Sequence, residues 1–315
     1  MMNNCSFPRL AALPALRLAM ALTFASVSIL RAVDSPSGDA VIRAPFGSSE
    51  IVVTTTMRLA GAIHSITWNG REFIDSADHG RQMQSAASFD NSPLAPPETF
   101  NPTEAGSRRD GAGQFSTSRL LAIRSAENAL RTLTQMAFWL APGERSGGQL
   151  ARNSRALSDY RLEKYVRIGA HGLPNTLDYT ARFLIPADAS HASAQFEALT
   201  GYMPAEFERF WRFVRATGKL EPLDDGPGEQ SEPLVFATSD GSHAMGIISL
   251  ETPPAGSTGP TYGRFRFAAE KVVKWNCVFR VRNGVLPGAY RYRMFVAIGT
   301  LADVETALRT LLAKP

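Results

Sequence analysis

The sequence predicts an all-β protein: a large antiparallel β-sandwich with one short helix at its C-terminus. About a dozen segments alternate apolar and polar residues with the period of two that a half-buried strand requires, and turn residues separate them. Asn69-Gly70 lies between two such segments and is typical of a two-residue hairpin turn. Helical spacing of apolar residues is confined to the C-terminal end. Many strands with few helices between them favour a sandwich.

The predicted elements follow this alternation along the chain. The predicted strands, in chain order, cover residues 50–56, 62–68, 71–74, 133–139, 160–168, 176–185, 191–199, 234–238, 244–249, 262–267, 271–281 and 290–298. Apolar residues at 301, 304, 308, 311 and 312 have the spacing of one helix face. Pro204 is suited to begin a helical turn over 204–211. Segments rich in Pro, Gly or charge are predicted as loops at 91–113, 141–156, 217–233 and 251–261.

The N-terminus has the pattern of a secretory signal. Arg9 and Arg17 precede an apolar run over 18–30, which is too short to span a bilayer but suits the apolar region of a signal peptide. We therefore expect residues 1–33 to be a cleaved signal peptide and the protein to be exported, periplasmic or extracellular. A membrane anchor or a misassigned start is the alternative. Residues 34–315 are predicted to form a single β-supersandwich domain, because the same alternation resumes after every loop.

Charge and cysteine content narrow the function classes. The formal net charge is +4, and the only charged residues among the first 33 are three arginines, so removal of the leader leaves +1. A nearly neutral domain argues against a dedicated nucleic-acid surface. Cys277 would be the only remaining cysteine, which excludes an internal disulfide. It lies in an apolar alternation, and this predicts a buried, unreactive thiol.

Residues 58–74 read Arg-Leu-Ala-Gly-Ala-Ile-His-Ser-Ile-Thr-Trp-Asn-Gly-Arg-Glu-Phe-Ile. This segment resembles the opening strand pair of galactose-mutarotase-like β-supersandwich proteins, and the strand pattern over 40–312 is similar to that architecture. The resemblance implies a function in carbohydrate binding or modification, as in sugar epimerases, polysaccharide lyases and accessory domains of glycosidases. The family mutarotases use a His pair and a C-terminal Glu as acid and base. His79, His171 and Glu270 are the nearest counterparts, but their surroundings differ, so only the sugar-binding expectation carries over.

Polar side chains concentrate at 75–113, where loops on a rigid scaffold would carry function. His79 beside Arg81 is suited to acid/base chemistry, with the guanidinium neutralising a carboxylate or a developing negative charge. The alternative is a polar corner in which Asp78 pairs with Arg81 and His79 caps a strand. Glu104 is the best single carboxylate for general acid/base catalysis, unless it belongs to an ordinary surface loop.

Two further segments contribute candidates. Tyr202, between a glycine and Met-Pro, could donate or accept a proton, while the aromatic residues after it are more typical of a core. Lys274 and Asn276 share one face of a predicted strand beside Trp275. Facing inward they would line a cleft, and facing outward they would be solvated.

The leading hypothesis is an exported carbohydrate-active enzyme with His79, Arg81, Glu104 and Tyr202 as catalytic groups. The predicted substrate-binding residues are Gln82, Gln84, Asn101, Arg108, Lys274, Trp275 and Asn276. Lyase, hydrolase and epimerase chemistry stay open, and the competing class is a non-catalytic glycan-binding or envelope protein. No metal-ligand spacing and no nucleotide-binding motif occurs in the sequence, so no metal or cofactor is expected. The expected partner is a carbohydrate, with no nucleic acid and no membrane after signal cleavage.

Overall fold

The fold is seen in a computed structural model that describes residues 36–253 and 256–313. The predicted signal peptide lies outside the described residues. In chain order the strands are β1 (Ala40–Phe46), β2 (Ser49–Thr55), β3 (Ile63–Trp68), β4 (Arg71–Glu72), β5 (Met83–Phe89), β6 (Pro102–Thr103), β7 (Arg119–Ala126), β8 (Ala129–Phe138), β9 (Arg145–Ser146), β10 (Gln149–Leu150), β11 (Leu157–Ile168), β12 (Thr176–Ile185), β13 (Ala194–Pro204), β14 (Arg209–Val214), β15 (Lys219–Leu223), β16 (Gly228–Gln230), β17 (Leu234–Ala237), β18 (Ala244–Ile248), β19 (Ser257–Phe267), β20 (Val272–Val281) and β21 (Gly288–Gly299). One helix, α1 (Leu301–Ala313), follows.

All strands but the short β4, β6, β9 and β10 belong to two large antiparallel sheets. The first, which we call the cleft sheet, runs β1-β2-β3-β5-β13-β20-β19-β16. The second sheet runs β7-β8-β11-β12-β21-β18-β17-β14-β15. The short strand β6 pairs with both β5 and β8 and so joins the two sheets at one side. The predicted fold class, a large antiparallel sandwich, is confirmed.

Aromatic side chains from both sheets meet in one core. Phe196 of the cleft sheet packs against Phe183 and Tyr292 of the second sheet, with ring centroids 4.9 and 5.3 Å apart. Phe279 stacks on Tyr292 at 4.4 Å. All four rings are buried, and aromatic pairs at such separations contribute beyond the area that they bury. Cys277 is fully buried in the same core, and burial raises the pKa of its thiol.

The predicted C-terminal helix is confirmed and covers part of the second sheet. Its N-terminus is capped by Thr300 and Asp303: the Thr300 backbone N–H donates to the Asp303 carboxylate (3.0 Å), and the Asp303 N–H donates to Thr300 Oγ1 (3.2 Å). Its apolar face packs on the second sheet through Val304 and Leu308, both fully buried. At Gly246 of β18 an added Cβ would lie 2.7 Å from Val304, so glycine permits the close approach of the helix. No helix among the described residues is long and apolar enough to cross a membrane.

Several expectations about the elements are wrong, including the predicted loops over 141–156 and 217–233, which contain β9, β10, β15 and β16. The predicted helical turn over 204–211 is the end of β13, a short turn and the start of β14. Residues 83–84, taken with the polar loop, begin strand β5 instead. All seven residues of β5 are buried, so the strand lacks the alternation that marks a half-buried strand.

A buried ion pair links the two sheets. Lys164 projects inward from β11, and its Nζ donates to Glu104 Oε1 (2.5 Å) and to the Gly61 carbonyl (2.7 Å). Both side chains are 0% exposed. The second carboxylate oxygen of Glu104 accepts the backbone N–H of Ser85 on β5 (3.1 Å). The Lys164 ammonium and the Glu104 carboxylate therefore both have hydrogen-bond partners, as charged groups buried away from water require.

We expect Lys164→Met to lower the free energy of unfolding by about 3–5 kcal/mol, because it leaves the Glu104 carboxylate buried without its cation. Adding Glu104→Gln to that variant should recover part of the loss, since the uncompensated charge is then gone. Urea unfolding of both single variants and the double variant measures the coupling. Purely additive losses would show that the pair does not act as a unit.

A second network surrounds His191 at the start of β13. Its Nδ1 lies 2.7 Å from Asp90 Oδ2 and its Nε2 lies 2.5 Å from the Tyr160 hydroxyl. Asp90 also accepts the backbone N–H groups of Ala192 (2.7 Å) and Ser193 (3.2 Å). Burial alone would raise the pKa of Asp90, but these hydrogen bonds outweigh burial and lower it.

The lowered pKa predicts a pH-dependent contribution to stability. It is complete above the unfolded-state pKa of an aspartate, about 3.9, and is lost as the pH falls through the folded-state value. We expect Asp90→Asn to lower the free energy of unfolding by about 1–3 kcal/mol at pH 7, with a smaller difference below about pH 4. Urea unfolding at a series of pH values measures this, with Asp159→Asn on the surface as the control. A difference that does not change with pH would contradict the assignment.

Candidate functional site

A cleft opens on the face of the cleft sheet that points away from the core. It encloses about 140 Å³, and its floor is formed by β5, β13 and β20, with residues from the loops around β6 and after β8 as its walls. The polar and aromatic side chains that line it are Gln84, Ser88, Glu98, Asn101, Thr103, Trp139, Gln195, Glu197, Thr200, Tyr202 and Lys274.

A β-bulge in β13 determines which side chains reach this cleft. Glu197 pairs with Ala86 and Thr200 pairs with Gln84, so β13 has one residue more than β5 in this interval. The pairing with β20 shifts at the same place. Without the bulge, strict alternation would direct Glu197 and Thr200 to opposite faces. The extra residue puts both on the cleft side.

Three titratable side chains meet on the floor of the cleft. Lys274 Nζ donates to Glu197 Oε2 (3.2 Å) and lies 5.3 Å from the centre of the Tyr202 ring. The register explains the contact, since Tyr202 and Lys274 are direct cross-strand partners in β13 and β20. The ammonium also lies 5.5 Å from the centre of the Phe265 ring. We call Glu197, Lys274 and Tyr202 the floor triad.

The environment fixes the charge of two triad members at neutral pH. Burial alone would lower the pKa of Lys274, but Glu197 and Tyr202 together raise it above its usual value. Burial raises the pKa of Tyr202, and the opposing effect of Lys274 is smaller. At neutral pH the cleft therefore holds an ammonium group and a protonated phenol.

Amides and one indole complete the lining. Asn101 is held by a hydrogen bond from its Nδ2 to the Ala87 carbonyl (2.5 Å), and Gln84 Oε1 accepts the Ala105 N–H (3.1 Å). Trp139 lies against Gly80, where an added Cβ would be 2.8 Å from the indole. Gly80 therefore permits the close approach of the indole to the backbone at the cleft wall. Fixed amides beside an aromatic face suit a hydroxyl-rich ligand with one apolar surface.

Four of the predicted site residues line the cleft: Tyr202, Gln84, Asn101 and Lys274. Trp275 does not, because alternation turns it to the core, where it is 1% exposed and packs under Gly201. It is not available to stack on a ligand. Asn276 shares the face of Lys274, as predicted, but is buried and accepts the Gly263 N–H (2.9 Å).

The remaining predicted residues lie outside the cleft lining and have structural partners. His79 is fully buried, with its ring nitrogens 2.7 and 2.8 Å from the carbonyls of Gly111 and Arg58. Both nitrogens are held by these carbonyls, and His79 is not part of the cleft lining. Glu104 is likewise engaged by Lys164 in the buried pair.

Of the other three, Arg81 forms the pair with Asp78 that was the alternative interpretation. Arg81 binds Asp78 (3.0 Å) with Asp75 at 3.9 Å. Gln82 is buried and donates to the His79 carbonyl (2.8 Å). Arg108 lies 3.5 Å from Glu144 on the surface.

The sequence interpretation missed Glu197, Gln195, Trp139 and Glu98. A signal was present for the first two, because Gln195 and Glu197 alternate with Phe196 and Ala198 and so belong to the face opposite the core. Nothing local marks Trp139 or the exposed Glu98 at the rim, since both reach the cleft from neighbouring loops. Among the described residues, no cluster of three His, Cys, Asp or Glu side chains suited to a metal ion occurs.

No protein-family model matches the chain, and no curated protein matches it. Galactose-mutarotase-like sandwich proteins are among its structural neighbours. The Slr1438 protein from Synechocystis aligns at 11% identity and a TM-score of 0.43, over 84% of this chain and 98% of its own. An α-galactosidase from Geobacillus stearothermophilus, solved with raffinose, aligns at 8% identity and a TM-score of 0.44, over 84% of this chain and 42% of its own. A heparinase III aligns at 12% identity and a TM-score of 0.42, over 85% of this chain and 36% of its own.

The chain thus spans nearly all of the Synechocystis protein but less than half of the two carbohydrate-active enzymes. At these values the likeness concerns the architecture alone. The chemistry of the cleft rests on its own residues.

The close approach of Trp139 to Gly80 gives a ligand-free test of the cleft wall. We expect Gly80→Ala to displace the indole, because a Cβ at 2.8 Å cannot be accommodated without movement. Tryptophan fluorescence should shift in wavelength or intensity. In a Trp139→Phe background the same substitution should leave the spectrum unchanged, and a shift that persists there would place the effect elsewhere.

Proposed function

We propose that this protein is a carbohydrate-active enzyme that acts on a sugar or glycan in the cleft by acid/base chemistry. The observation that carries the proposal is the floor triad: a carboxylate and an ammonium joined by a hydrogen bond, with a phenol in contact with the ammonium, in the same cleft as the Trp139 ring. Export to the periplasm or the exterior, expected from residues 1–33, belongs to the proposal.

Each member of the triad has a distinct chemical role. Tyr202 is protonated at neutral pH and is the proton donor to a departing or ring oxygen. Glu197 is the carboxylate that accepts a proton from a hydroxyl, a water or a carbon. Lys274 holds both groups in place and stabilises negative charge that develops on the substrate. The ring of Trp139 offers an apolar face to a pyranose.

The rim carboxylate Glu98 separates two versions of this chemistry. A hydrolase needs two carboxylates that flank the scissile bond, and Glu98 with Glu197 would supply them. A lyase or an epimerase needs one group to remove a proton and another to donate one, which Glu197 and Tyr202 provide without Glu98.

The test is turnover on a panel of neutral and uronate-containing glycans. New ultraviolet absorbance from an unsaturated uronate identifies a lyase, new reducing ends alone identify a hydrolase, and a changed sugar configuration by NMR identifies an epimerase. Retention on glycan gels without turnover would support the competing class, a glycan-binding protein, and would overturn the enzymatic proposal.

We expect Tyr202→Phe and Glu197→Gln each to lower kcat by about 10²–10⁴-fold, as the loss of a general acid or base does. Glycan retention should change little, because both substitutions preserve shape. Tyr290→Phe and Glu221→Gln, outside the cleft lining, are matched controls. Glu98→Gln should abolish activity only in a hydrolase. Full activity of Tyr202→Phe and Glu197→Gln would contradict the site assignment.

A further inference from the structure

The outward face of the second sheet carries an unusual concentration of arginine. On β7, β8, β11, β12 and β21 the residues that alternate away from the core include eight arginines. They are Arg119, Arg124, Arg131, Arg161, Arg167, Arg182, Arg291 and Arg293. We call this surface the arginine face. Helix α1 packs on β18 and the C-terminal part of β21, and so leaves the positions on β7, β8, β11 and β12 uncovered.

Only three of these arginines have an acidic partner. Arg182 pairs with Glu163, Arg291 with Glu251 and Arg293 with Asp178, at 2.6 to 2.7 Å. For the other five, no ion pair forms with any residue in the described parts of the chain, and all five are exposed. The face therefore has an excess of five positive charges on a domain whose expected net charge is +1.

The pairing register makes this arrangement costly for folding. Arg124 and Arg131 are direct cross-strand partners in β7 and β8, and like charges directly opposite each other destabilise a sheet. Arg131 is held over the ring of Tyr165 on β11, 4.9 Å from its centroid. A shallow groove of about 340 Å³ runs between these side chains, floored by Ala122, Leu133 and Thr180. Repulsion of this kind is relieved when an anion bridges the guanidinium groups.

We propose that the arginine face binds an acidic polysaccharide, a glycan chain with carboxylate or sulfate groups. Guanidinium groups recognise such oxyanions by paired hydrogen bonds. Arg124 and Arg131 stand directly opposite each other on adjacent strands, about 4.8 Å apart, so one carboxylate or sulfate group can bridge them, and the other unpaired arginines lie in neighbouring rows of the same face. The inference goes beyond the cleft and does not depend on its proposed function.

Two other polyanions fit the surface less well. Single-stranded nucleic acid is bound on open aromatic platforms, but the one aromatic ring in the groove, Tyr165, is covered by Arg131. Peripheral membrane binding normally adds apolar side chains that enter the lipid. The exposed large apolar residues of the described chain, such as Leu94, Phe115 and Leu286, lie outside these five strands.

The probe is fluorescently labelled polygalacturonate, with neutral dextran as the uncharged control, titrated by anisotropy against the full chain. We expect binding to polygalacturonate alone, with an affinity that falls as NaCl rises from 50 to 200 mM. The triple variant Arg124→Gln, Arg131→Gln, Arg167→Gln should bind at least about tenfold more weakly. Its stability to urea should change little, because relief of the repulsion between Arg124 and Arg131 offsets the lost contact of Arg131 with the Tyr165 ring.

The matched control is Arg145→Gln, Arg209→Gln, Arg282→Gln, which removes the same charge outside the five strands and should bind like the parent. Tyr202→Phe should also bind like the parent, so failure of the cleft proposal and failure of this one are separable. Equal losses in the two triple variants, no binding to polygalacturonate, or tighter binding at equal salt to DNA or to phosphatidylglycerol vesicles would each overturn the proposal.

Discussion

The ion pair between Lys164 and Glu104 is the constraint on which the cleft depends. Both charges are sealed from solvent, so the segment after β6 must hold Glu104 against β11 or leave a charge uncompensated. Glu104 also accepts the N–H of Ser85, the neighbour of Gln84 on the cleft floor. Asn101 and Thr103, which form one wall, belong to the same tethered segment. A polar contact between the sheets thereby fixes the wall and the floor relative to each other.

The two sheets turn different kinds of side chains outward, away from their shared core. On the cleft sheet, outward residues of β5, β13 and β20 are amides, hydroxyls and the floor triad, gathered under loops in a concave site. On the second sheet, arginine is the most frequent outward residue of β7, β8, β11, β12 and β21, on an open surface. One alternating pattern therefore builds a shared core and two chemically different surfaces. A chain processed in the cleft and a chain retained on the arginine face would both be sugars, a relation that joins the two proposals without making either depend on the other.

Sequence alone predicts much of this fold, because most strands are half-buried and their alternation is visible. The segment 176–185 matches β12 residue for residue, and the Asn69-Gly70 turn joins β3 and β4 as expected. The helix at 301–312 follows from its apolar spacing. Strand β5 was missed because it is buried on both sides and built of small residues. The turn at 204–211 looked helical because Phe207 and Phe210 are buried from a turn and a strand, with a spacing that imitates a helix face.

The site was less predictable, because polar density did not identify it. The polar side chains of segment 75–84 already have structural partners. The ring of His79 lies against the carbonyls of Gly111 and Arg58, and Arg81 pairs with Asp78. The cleft draws instead on residues spread from Gln84 to Lys274, and no local pattern brings these together.

The bulge in β13 has a consequence for how such a site changes in evolution. Since one surplus residue decides whether Glu197 faces the cleft or the core, a single-codon deletion there would remove the carboxylate without replacing any amino acid. Insertions and deletions, as well as substitutions, are then a mutational route by which homologous sandwiches would acquire or lose this group.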